Sequence, residues 1–355
     1  MTDHFSEEEP VMEMQSRGTT AAMTLAAFIG LTVSTITVGL DSAPFDPLLI
    51  SLIVGILFGG MLGHRFPLWS GVPIATRWLI PVGIVFYALV NLDVANLIRL
   101  PGLTLATLLM VMSGGFITIV FLGWRGGQRR QITCLIAAGT AVCGASAIAM
   151  SAPSVEAEPD DVSVSLLAVT LAALLGLFIV LPFVVALLSL PSLDYGVAAG
   201  ALLQFTGFVK EAVTRSFYLF PDGNLTEARQ LAMAVKSARY FGLLIAIPLF
   251  ASMAHKRIVI PKTLWLFVGA GVAGSLLRSG NDVWFVTEIK PLLQPFYLVL
   301  WSTAMAAIGL SADFRTLLSR KGWQAFKMAI VGFGVALALF LLIWSLMAWL
   351  TGGMA

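Results

Sequence analysis

The sequence predicts an all-α polytopic membrane protein of about eleven transmembrane helices, and three observations predict it. Hydrophobic residues make up 58% of the 355 and charged residues only 11%, where a soluble domain carries about 25% charged residues. Apolar runs of spanning length follow one another from end to end, separated by short polar breaks. Lys and Arg collect in alternate breaks, the pattern of loops sorted to one side of a bilayer.

The elements follow in chain order. Residues 1–20 are acidic (Glu7, Glu8, Glu9, Glu13) and lack the basic start and short apolar core of a signal peptide, so they read as a disordered tail. A single transmembrane domain is expected over 21–355. Its apolar runs fall at about 21–40, 47–63, 74–92, 102–124, 131–153, 162–190, 193–217, 226–254, 263–277, 292–311 and 323–350. The third carries Arg77, read as snorkelling. The seventh is weakly hydrophobic and carries Gln204, Lys210 and Glu211, the last two read as lying at a helix end. Trp69, Trp78, Trp124, Trp284 and Trp301 are candidates for the interfacial belt.

With eleven spans, one side collects Arg65, Arg125, Arg129, Arg130, Lys256, Arg257, Lys262, Arg315, Arg320 and Lys321. The other collects Arg99, Arg215, Arg278 and Lys290 with the acidic loop Glu156, Glu158, Asp160 and Asp161. The basic side is expected to be cytoplasmic, with the N-terminus inside and the C-terminus outside. An odd count also permits one extra helix followed by two inverted five-helix repeats, at 46–190 and 193–350.

The formal charge of +2 is not carried in basic runs, so nucleic acid is not an expected partner. Cys134 and Cys143 are in no metal-ligand spacing, and no nucleophile elbow, phosphate loop or paired-carboxylate set is present. Neither enzyme activity nor a cofactor or metal is expected.

One stretch departs from the apolar background. Gly139, Thr140, Cys143, Gly144 and Ser146 lie in a run of small and hydroxylated residues where a lipid-facing helix would carry Leu, Ile and Phe. Glycine permits a helix break at membrane depth, tolerated only where protein or a wet cavity surrounds it. The half-helix after such a break offers free N–H groups and a positive dipole end, which suits an anion. Close helix packing explains the same composition without a ligand. Ser302, Thr303 and Ser311 occupy the matching place in the second repeat. Lys236 and Arg239 share one helix face at i, i+3. Two interfacial cations and an anion funnel in a wet cavity both account for them. Gln204 with Thr206 is a further polar contact.

The run from Ala138 to Ala149, followed by Ala152-Pro153 and the acidic loop, closely resembles the most characteristic motif of the YeiH-type inner-membrane proteins, a family labelled sulfate exporters. Asp46-Pro47-Leu48-Leu49 with Gly55 and Gly63, the Lys236-x-x-Arg239 pair and Ala304 to Ser311 resemble three further motifs. The resemblance runs from about Asp46 to Phe340. It implies a fold related to sodium/proton antiporters and bile-acid transporters, with two crossing broken helices. It implies anion export across the bacterial inner membrane. Relatives carry a His and a Gln where Gln204 and Phe208 stand, and many carry an Arg where Val90 stands.

The expected function is therefore a secondary transporter of a small sulfate- or sulfonate-like anion, with sodium or a proton as candidate coupling ion, the lipid bilayer as surroundings and a homodimer as candidate assembly. An ion-coupled carrier of an organic acid, a sodium/proton-type antiporter and a non-catalytic membrane subunit are the alternatives.

Overall fold

The computed structural model describes residues 8–39, 47–62, 71–92, 94–215, 220, 225–255, 262–312, 315 and 319–350. Arg65, Trp69, Lys256 and Arg257, named above for the loops and interfaces, lie outside the described residues, as does Asp46. Every regular element among the described residues is helical. They are α1 (Glu8–Gly39), α2 (Pro47–Leu62), α3 (72–91), α4 (Val94–Arg99), α5 (Gly102–Arg125), α6 (Arg130–Cys143), α7 (Ala145–Ser151), α8 (Pro159–Leu188), α9 (Ser192–Leu202), α10 (Thr206–Arg215), α11 (225–255), α12 (Lys262–Gly280), α13 (Asp282–Ser311) and α14 (Arg320–Leu350). Among the described residues, six helices have the length and apolar composition to cross a membrane, and shorter apolar helices accompany them. The protein is thus an all-α polytopic membrane protein. Helix α1 begins at Glu8, so the tail expected to be disordered is helical from that residue onward.

Two of the eleven expected spans do not cross. The fifth turns back on itself. The Arg129 guanidinium meets the Glu158 carboxylate at 2.8 Å although the two are 29 residues apart, and a straight helix would separate them by about 43 Å. Gly144, at φ +67°, ψ −125°, reverses the chain between α6 and α7. A Cβ at Gly139 would meet the Ile148 side chain at 2.8 Å, so the two legs of the turn pack closely against each other here. The seventh does the same. The Tyr195 hydroxyl donates to the carbonyl of Ala212, 17 residues on, at 3.2 Å, against the roughly 25 Å a straight helix would impose. Its turn is the non-helical stretch Leu203–Phe205 between α9 and α10. Both segments are re-entrant hairpins. Helix α8, 30 residues long, carries the chain between their mouths, so they enter from opposite faces. The acidic residues Glu158 and Asp161 accordingly share a face with Arg129, not the opposite face expected of a crossing fifth span.

The tenth segment, expected to break like the fifth, is a continuous helix up to Ser311. Its small residues serve packing. Gly55 lies on the carbonyl of Ala306 and 3.1 Å, measured from the Cβ it lacks, from Gly309 Cα; Gly59 lies on the carbonyl of Leu310, and Gly309 on that of Leu52. Small residues let the backbones of α2 and α13 approach this closely. Gly30 of α1 sits on Thr303 in the same way. The second helix interruption belongs to the seventh segment instead.

Trp301 is fully buried, not interfacial, and its indole N–H donates to the Ile80 carbonyl at 3.1 Å. Trp78 and Trp124 remain exposed. Phe28, Ile98, Ile117, Phe183 and Ile245 point outward, a surface that only lipid or a partner would cover.

Candidate functional site

The hairpin tips meet. A Cβ on Gly144 would stand 2.9 Å from the Phe205 ring, so the turn of the first hairpin is seated directly on that of the second. Each tip ends a helix, α6 on one side and α9 on the other, and the last carbonyls of a helix have no partner within it. In a membrane interior no water is at hand to satisfy them, and each orphan would cost several kcal/mol.

Lys236 and Arg239 of α11 satisfy them. Both are buried, Lys236 completely, so neither snorkels to an interface. A 3-10 turn at Arg239–Gly242 interrupts α11 here. The Arg239 guanidinium donates to Ala201 and Leu203 carbonyls at 2.9 Å, to Gly200 at 3.4 Å and, from its other amino group, to Thr140 at 2.8 Å. The Lys236 ammonium donates to Gln204, to Leu203 at 3.3 Å and to Val142 at 3.5 Å. Each cation therefore bridges both hairpins. The carbonyl end of a helix carries about half a negative charge. Two such ends face the two positive side chains, and the Arg239 bonds go to carbonyls alone.

Around this crossing lies a polar belt. Thr206 and Tyr240 hydroxyls are 2.9 Å apart. The Tyr87 side chain is buried beside them. Tyr87 also packs on Trp301 at 4.8 Å and edge-on to Tyr240 at 5.4 Å. Thr140 Oγ1, Gln204 Oε1 and Arg239 Nε are buried with no hydrogen-bond partner among the described residues. Ser146, Thr206 and Gly207 are partly exposed while the residues before them in each tip are buried. The crossing is therefore partly open at the protein surface where α7 and α10 begin.

Of the residues singled out in the sequence, Gly139, Thr140, Cys143, Gly144, Ser146, Gln204, Thr206, Lys236 and Arg239 come together here. Thr303 and Ser311 do not. Ser302 is buried on α13 next to Trp301, its hydroxyl without a hydrogen-bond partner among the described residues. Thr303 lies against Gly30, Ser311 bonds its own helix at the Ala307 carbonyl, and both belong to the α1–α2–α13 packing. Tyr87, Tyr240 and Phe205 were missed. Aromatic residues in an apolar helix carry no signal until the helices that face them are known. At the position of the relatives' glutamine, Phe208 is buried against Phe205 with ring centroids 5.0 Å apart. Val90 is buried, and its carbonyl accepts from Arg278 at 2.8 Å, so a guanidinium reaches this point from α12. Lys210 is exposed on α10.

At the mouth of the first hairpin Arg129 also lies 3.1 Å from Asp161, and Glu158 and Asp161 form a capping box on α8. The hydrogen bond from Arg129 holds the Glu158 carboxyl below its ordinary value. That lowering makes the pair stabilising above the unfolded-state value near pH 4.5, and the contribution is lost as pH falls through the lowered value. Glu158 is 63% exposed, so the effect is at most about 0.5 kcal/mol. Glu158→Gln should melt slightly below wild type at about pH 7 and together with it below about pH 4. A gap that persists in acid would mean that the ion pair does not hold the mouth.

Helices of spanning length, two opposed re-entrant hairpins and buried cations at their meeting point define a polytopic membrane protein built around a central polar crossing. Residues 19–329 match the family described as Conserved hypothetical protein 698, and the chain belongs to that family. Its similar proteins carry the name UPF0324 membrane protein. One from Archaeoglobus fulgidus is 26% identical over 310 residues, covering 86% of this chain and 87% of its own. One from Wolinella succinogenes is 28% identical over 352 residues, covering 92% and 97%. One from Bartonella henselae is 28% identical over 289 residues, covering 77% of each. No solved structure matches the chain.

Proposed function

We propose that the protein is a secondary transporter that moves a small anion of the sulfate or sulfonate class by alternating access around the two hairpin tips. It works in the bacterial inner membrane, with the Arg129 face in the cytoplasm. The observation that carries this reading is the buried Arg239 guanidinium at the crossing, held by backbone carbonyls of both hairpins. A buried guanidinium bonded to neutral carbonyls favours an anion beside it. Three further features support it. Helices α7 and α10 both start at the crossing, so their first N–H groups face it. Ser146 and Thr206 place hydroxyls at the partly exposed side of the crossing. Buried Thr140 Oγ1, Gln204 Oε1 and Arg239 Nε stand without partners beside them. One hairpin falls in each of the halves 46–190 and 193–350 and they open to opposite faces, which supports an inverted-repeat carrier. No step of this function is chemical.

Thermal shift and direct binding with sulfate, sulfite, alkyl sulfonates and carboxylates test it. One of the oxyanions should bind saturably. Ser146→Ala and Thr206→Ala should each weaken it about 10- to 150-fold, the scale of one lost hydrogen bond to a charged group. Lys327→Ala, exposed on α14 beside Trp323, should not. Binding unchanged in both tip variants would place the anion elsewhere.

A further inference from the structure

We propose that the Lys236 ammonium is a tethered substitute for a free monovalent cation at the hairpin crossing, so that the protein needs neither sodium nor potassium. The consequence for a transport cycle rests on the transporter reading, but the occupancy of the site does not.

The geometry is that of an alkali-ion cage. Three backbone carbonyls, Val142 from the first tip and Leu203 and Gln204 from the second, converge on Nζ. They come from the ends of two helices and the unwound turn after one of them. Carbonyls so placed, at broken-helix ends inside a membrane, are the groups that coordinate sodium in ion-coupled carriers. Rings of carbonyls likewise replace the hydration shell of potassium. An ammonium is a compact point charge with donors that can be directed to several oxygens. Here that charge comes on the chain, fully buried. The neighbouring carbonyls Thr140, Ala201 and Leu203 are taken by Arg239. Both carbonyl clusters of the crossing thus already hold a covalently attached cation. A metal ion of higher charge would want carboxylate ligands, and no metal-binding group of His, Cys, Asp and Glu occurs among the described residues.

The tethered charge has a consequence for the cycle. A free cation leaves with the substrate, whereas Lys236 stays. The hairpins are neutralised in every state, and their docking does not wait for an ion to arrive.

The test is thermal unfolding of the purified full-length protein in sodium, potassium, lithium and choline chloride at one ionic strength. Wild type should melt at the same temperature in all four. Lys236→Ala empties the cage and should melt lower in choline. It should recover about 3–8 °C, saturably, in sodium or potassium. Lys236→Met, whose side chain fills the space without charge, should melt lower and ignore the salt. A Lys236→Ala protein recovered only when purified in sodium or potassium supports the proposal equally. A saturable sodium shift in wild type overturns it. So does a Lys236→Ala protein that folds but is indifferent to all four salts, or that is recovered in none. Anion uptake by wild type in proteoliposomes is read separately. Its absence would sink the transporter reading and leave the cation result standing.

Discussion

Arg239→Met is expected to destabilise the folded protein by about 3–5 kcal/mol, the cost of breaking a buried charged network by removing one member. The guanidinium is 1% exposed and holds carbonyls of both hairpins. Methionine fills much of the volume and donates nothing, so Thr140, Ala201 and Leu203 carbonyls are left without it at membrane depth. Each unsatisfied buried acceptor costs roughly 1–3 kcal/mol. Arg239→Lys should recover only part of the loss. A single ammonium cannot reproduce the planar fork that serves α9 from one amino group and α6 from the other. Thermal melting of the detergent-purified variants checks this, together with protease sensitivity at the hairpins. An Arg239→Met protein that melts with wild type would mean that the carbonyls are satisfied by something else.

Gly144→Ala is expected to cost about 2–6 kcal/mol, from two sources that add. At φ +67°, ψ −125° the backbone lies where only glycine is comfortable, and holding another residue there costs about 1–3 kcal/mol. The new methyl would also meet the Phe205 ring at 2.9 Å, and overpacking of a filled contact costs typically 1–3 kcal/mol. The two are separable. Gly144→Ala combined with Phe205→Leu should recover the steric part and leave the backbone part. Melting temperatures of the single and double variants decide it. A Gly144→Ala protein as stable as wild type would contradict the reversal of the chain at this residue.

The fold class was legible because membrane burial writes itself into composition and run length. So was the neighbourhood of the site: glycine, hydroxyl and cysteine in an apolar run mark a place where backbone, not lipid, is the neighbour. What the sequence could not deliver was direction. The run at 131–153 has spanning length, and length alone cannot tell a crossing helix from two half-helices that return. The clue lay at its ends, Arg129 on one side and Glu158 on the other, an ion pair only if the ends meet. The small residues of α13 misled for the related reason that a helix crossing and a helix break draw on the same residues. At Gly309 the crossing prevails, because Leu52 and Gly55 of α2 press against it. Lys236 and Arg239 were ambiguous between interface and interior because depth depends on where α11 starts, and only the packing against α9 sets that.

The central claim is that two hairpins enter from opposite faces and meet tip to tip. Single cysteines at Arg130, Glu156, Ser192 and Thr214, in a chain with Cys134 and Cys143 replaced by alanine, test it most directly. They are labelled in oriented membranes with an impermeant maleimide applied from one side at a time. Cysteines at Arg130 and Glu156 should react from one and the same face, and those at Ser192 and Thr214 both from the other. Arg130 and Glu156 positions that label from opposite faces would make the fifth segment a crossing helix and contradict the account.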